Sequence, residues 1–114
     1  MRPSELNPMM QSIARAMFPN LPRLPRVTTH TTGTIWGSFH AAMNVLSVHE
    51  QLIRNHPVSD TASTVTHELC HAVHWFERDH HGEAWRAEMD RVGLCPDTHF
   101  IRQFSPLHQW LVRR

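Results

Sequence analysis

The chain has 114 residues, 40% hydrophobic and 18% charged, with a net charge of +1 when its histidines are neutral. Those values predict one folded domain (1–114) with one modest core, and exclude a disordered tail or a second large core. So small a net charge gives DNA association no support and provides no pull toward an anionic membrane.

From Ser4 to about Phe18, the residues Leu6, Met9, Met10, Ile13, Met17 and Phe18 recur at helical spacing, which predicts an amphipathic helix with methionines as core filler. The start, Met1-Arg2-Pro3-Ser4-Glu5, lacks the apolar run of a signal peptide. The stretch Pro19-Asn20-Leu21-Pro22-Arg23-Leu24-Pro25 removes backbone donors and reads as a linker, so 1–25 is helix plus proline-rich connection. Over 27–54, Val27-Thr28-Thr29, Thr34-Ile35-Trp36-Gly37-Ser38-Phe39 and Asn44-Val45-Leu46-Ser47-Val48 predict two or three short strands. Connections too short for helical crossovers make the expected pairing antiparallel.

A pair of helices is expected over 59–93. The first has Ser59 or Asp60 as N-cap and runs to about Arg78, with Ala62, Val65, Leu69, Ala72, Val73 and Phe76 on a core face and His67, His71 and His74 opposite. The second runs from near Gly82 to about Val92 and stops at Gly93, with Trp85 and Met89 as core. The tail over 96–114 has no assigned structure, although Phe104, Trp110 and Leu111 suggest that it packs back. No stretch approaches the roughly 18 apolar residues of a membrane span. Cys70 and Cys95 do not make a disulfide framework, so a reduced, cytoplasmic setting is expected.

Histidine, the commonest metal ligand, occurs 11 times. In His67-Glu68-Leu69-Cys70-His71 two imidazoles lie one helical turn apart and can converge on one ion, while Glu68 lies beside that face as a general base for water at the metal's open position. In so histidine-rich a composition this pattern arises by chance in roughly one shuffled chain in twenty, so context has to support it. His80 and His81 precede Gly82, where the chain can turn and return a third ligand. The candidates for that ligand rank His81, then Glu88, then His80, with Glu83 also in reach; a metzincin pattern is disfavoured because positions 74 and 77 are His74 and Glu77. Cys70 reads as a small buried residue without a catalytic part. The chain contains no tyrosine, leaving His74, His80, Arg86 and His99 as candidates for oxyanion stabilisation.

The segments His67-Glu68-Leu69-Cys70-His71 and His81-Gly82-Glu83-Ala84-Trp85, with Met89 and then Val92-Gly93-Leu94-Cys95-Pro96, resemble the SprT-like zinc metallopeptidase domain of short phage and bacterial members. The resemblance covers about Leu46 to Pro96. It implies His67, His71 and His81 as ligands of one catalytic zinc and Glu68 as base. It also implies an α+β, minimal zincin-like fold, with a small antiparallel sheet packed by the N-terminal helix, the helix of the motif and the helix after it. Longer relatives carry a cysteine-rich zinc ribbon and a DNA-binding extension that are not seen here.

The expected function is a zinc-dependent metalloprotease, an endopeptidase acting on a protein or peptide substrate in the cytoplasm, which is the host's if the chain is phage-encoded. The alternative is a zinc-stabilised binding module that hydrolyses nothing.

Overall fold

A computed structural model describes residues 1–77, 79 and 81–114. The chain opens with a 3-10 turn, Pro3–Glu5, that runs into helix α1 (Leu6–Met17). Leu6, Met9, Met10, Ile13, Ala14 and Met17 form the buried stripe of α1, so the methionines are core as expected. The end of α1 is tied down from a distance. Arg91 donates through Nη2 to the Met17 carbonyl at 2.6 Å and lies over the Phe18 ring, occupying an acceptor that a helix terminus leaves open.

Strands β1 (Arg26–His30), β2 (Gly37–His40) and β3 (Val45–His49) form one sheet in the order β1-β3-β2. β2 pairs antiparallel with β3, in the register Gly37 to Val48 and His40 to Val45. β1 pairs parallel with β3, Arg26 beside Val45 and His30 beside His49. The sheet is therefore mixed, not antiparallel. The expectation of hairpins alone failed because the connection from β1 to β3 contains β2: the chain crosses to the far edge and returns through the centre. Central β3 is accordingly buried at four consecutive residues, Leu46 to His49.

Helix α2 (Glu50–Asn55) follows β3 directly, where sequence periodicity extended the strands to residue 54. His49 caps it by accepting from the Gln51 amide, and Leu52 and Ile53 bury its inner face. Helix α3 (Val58–Val73) begins just after Pro57 with no side-chain cap, ahead of the expected Ser59 or Asp60. It ends at Val73 rather than near Arg78, which lies outside the described residues. Phe76 therefore leaves the core face and is 69% exposed.

α3 is buried almost all round: Thr61, Ser63, Thr64, Thr66 and Glu68 are inside along with Ala62, Val65, Leu69, Cys70 and Ala72. β2 passes close beside it. A Cβ on Gly37 would stand 2.5 Å from Thr64 Cγ2, so this strand position needs the absence of a side chain.

Helix α4 (Glu83–Val92) keeps its expected bounds, with Gly93 in the left-handed conformation at its end. An isolated bridge joins Leu94 to Ile101, and helix α5 (Pro106–Arg113) follows, capped by Ser105 accepting from His108 N. Leu107 is buried and Trp110 donates to Ser12 Oγ at 2.9 Å, so the tail packs on α1; Phe104 is 75% exposed and does not share in it. The result is an α+β domain of three strands and five α-helices among the described residues, none of them long and apolar enough to cross a membrane.

Candidate metal centre

His67 and His71 project from successive turns of α3, with ring centroids 5.0 Å apart. Helix α3 ends at Val73 with His74 as its C-cap, and Asp79 then makes two hydrogen bonds to the residues that lead into α4. The Asp79 carbonyl accepts from the Gly82 amide at 3.1 Å, and its carboxylate accepts from the His81 amide at 3.2 Å. That turn sets His81 immediately before α4 and brings its ring to 5.1 Å from His71 and 5.9 Å from His67. One ligand atom from each of the three histidines lies within 4.8 Å of the others.

Beneath them lies Trp85, one turn into α4 and 2% exposed. Its ring stacks on His71 at 5.2 Å, meets His67 at 5.1 Å and reaches His81 at 4.5 Å. Trp85 is core as expected, and also the floor on which all three imidazoles rest.

Glu68 is buried beside this group, its Oε2 3.8 Å from His67 Nε2. Burial pushes its carboxyl up to about 7, because the charged form loses its water there. His67 is held down to about 3, first by burial and then by the neighbouring His99, His71 and His81. A neutral imidazole keeps its lone pair for a metal. Nδ1 of His67 is buried with no hydrogen-bond partner among the described residues. Three imidazoles, one of them with an orphaned ring nitrogen, make a nitrogen donor set that fits a single zinc.

The alternatives for a third ligand are directed elsewhere. Glu88 faces Arg91 at 2.8 Å and His74 at 3.4 Å, and Glu83 is exposed in the first turn of α4. His80 lies outside the described residues. Of the oxyanion candidates, His74 faces Glu88 and Arg86 pairs with Asp97 at 3.6 Å. His99 packs against His67, ring centroids 4.5 Å apart. Cys70 is fully buried with its thiol driven up by that burial, and both cysteines are free.

A depression of about 200 Å3 opens over the group, lined by Phe39, Ala41, Glu68, His71, Trp75 and His81. Phe39, Ala41 and Trp75 were not singled out in the sequence. For Trp75 a signal existed: it stands four residues after His71, as His71 does after His67.

The model of the SprT-like family matches residues 6–103, extending beyond the motif-bearing segment to α1 and to the bridge residue Ile101. Neither a curated protein nor a solved structure matches the chain significantly. With the match running through the sheet, the histidine group and the loop after α4, the chain belongs to the SprT-like family.

Proposed function

We propose that this chain is a zinc-dependent peptidase in which His67, His71 and His81 hold one zinc ion and Glu68 is the general base. The observation that carries the reading is the buried Glu68 carboxylate beside three converging imidazoles, opening on the same depression as His71 and His81. Bound there, zinc would supply Lewis acidity that lowers the pKa of a water toward neutrality and polarises a carbonyl.

The chain's own residues divide the remaining work. Glu68 accepts a proton from the attacking water; the water oxygen bonds to the carbonyl carbon, the C–N bond breaks, and Glu68 returns the proton to the departing nitrogen. Burial of Glu68 limits competition from bulk water for that proton. Trp85 keeps the three rings together, and neutral His67 supplies a lone pair. An extended peptide is the fitting substrate. β2 is an edge strand whose Gly37 lies against Glu68, so its outer backbone groups can pair with a peptide that then crosses the carboxylate.

The test is incubation of the zinc-loaded protein with an unfolded polypeptide. Cleavage that a chelator stops and added zinc restores supports the reading. Chelator-induced unfolding with no cleavage of any polypeptide would leave a zinc-stabilised binding module instead.

A further inference from the structure

A second depression, about 360 Å3, continues from the first: Phe39, Ala41 and Trp75 line both. It runs away from Glu68 toward Pro22, Arg23, Ala42 and Asn44. Its far wall is fixed. The Asn44 side chain donates to the Leu24 carbonyl at 3.2 Å and the Arg26 amide to the Asn44 carbonyl at 2.9 Å, tying the proline-rich segment to the β2–β3 turn. Trp75 is 54% exposed at the junction of the two depressions, and Leu24 and Met43 stand exposed nearby in sequence on the two tied segments. The lining itself, Phe39 and Trp75 with three alanines and a proline, presents apolar surface that a ligand, not the core, can cover. The charge is equally one-sided: Arg23 is the one charged residue of this lining, and among the described residues it has no ion-pair partner.

We propose that this depression is a side-chain pocket that selects substrates with a bulky apolar residue, aromatic or long aliphatic, next to an acidic residue that faces Arg23. The volume lies near the lower end of the roughly 300–1,000 Å3 of ligand pockets, room for one such side chain and not for a folded element. The occupant is a stretch of extended polypeptide, because the pocket shares its wall with the depression over Glu68, and β2, which supplies Phe39, is the sheet edge beside it. This inference rests on the peptidase reading and adds its substrate class.

Binding separates the two. Zinc-loaded E68Q protein is titrated calorimetrically with short alanine-based peptides carrying Phe-Glu, Ala-Glu or Phe-Lys at the centre. Phe-Glu should bind roughly tenfold or more tighter than Ala-Glu, the scale set by burying one aromatic side chain. W75A should erase that difference, and R23E should turn the preference for Glu into one for Lys, more weakly at high salt. Both positions are exposed, so neither variant threatens the fold. Equal affinities for the three peptides, preferences that survive both variants, or no binding of any peptide would overturn the pocket. Selective binding without cleavage by the wild-type protein would keep the pocket and sink the peptidase; cleavage without selectivity would do the reverse.

Discussion

Trp85 lies flat on His71, ring centroids 5.2 Å apart and planes 18° from parallel, and its burial makes it part of the core and part of the candidate metal centre at once. Replacing it should therefore damage two properties separately measurable in one protein. W85A should lose about 3–5 kcal/mol of stability in urea unfolding, as a large buried aromatic does. W85F keeps much of the volume, so it should recover most of that stability while still weakening zinc, about tenfold, in a competition titration, since supports behind metal ligands act on that scale. Unchanged zinc affinity in W85F would confine Trp85 to packing.

The third ligand can be assigned by metal content. His81 sits with His67 and His71, whereas Glu88 faces Arg91 and His74. H81A should purify without stoichiometric zinc, and E88Q should retain one ion per chain. In the wild-type protein, chelation should lower the melting temperature, because an ion bound by the folded state alone stabilises it. Zinc retained in H81A and lost in E88Q would move the site toward a glutamate.

The close pass of β2 over α3 gives a prediction about packing. G37A places a methyl 2.5 Å from Thr64 Cγ2 and should cost about 1–3 kcal/mol as an overpacked contact. T64S removes that methyl. The double variant G37A/T64S should be more stable than the two single effects added together predict, and strict additivity in the cycle would show that Gly37 is needed for another reason.

Arg91 joins two ends of the fold, donating to the Met17 carbonyl at 2.6 Å and to Glu88 at 2.8 Å. R91M retains an apolar stem but leaves the carbonyl without this donor. Thermal unfolding should show a loss of about 1–3 kcal/mol, the cost of a hydrogen bond to a charged group. No change would mean that water replaces the guanidinium.

What could be read from the sequence was local. The i, i+4 spacing of His67 and His71, the turn at Gly82 and the stop at Gly93 each depend on a few neighbouring residues, and each lies where that spacing puts it. Sheet order depends on distant segments: nothing between Val27 and Val48 announces that β3 inserts between β1 and β2. Glu50-Gln51-Leu52-Ile53-Arg54 was hidden because a short apolar run beside a strand has no period of its own. The two-faced picture of α3 failed for a related reason. Thr64 lies against Gly37 of β2, so a strand covers a side of the helix that polarity alone marks as solvent. Phe39 and Ala41 join the cleft through the sheet, beyond the reach of any spacing along the chain.

The central claim is the role of Glu68, and its most direct measurement is cleavage and zinc content compared in wild-type and E68Q protein. Glu68→Gln keeps the shape of a buried side chain, so the fold and the three histidines should remain as they are. The account predicts one zinc per chain in both proteins and a fall in cleavage of about a hundredfold or more in the variant, the scale of a lost general base. Cleavage at the wild-type rate by zinc-loaded E68Q protein would contradict it.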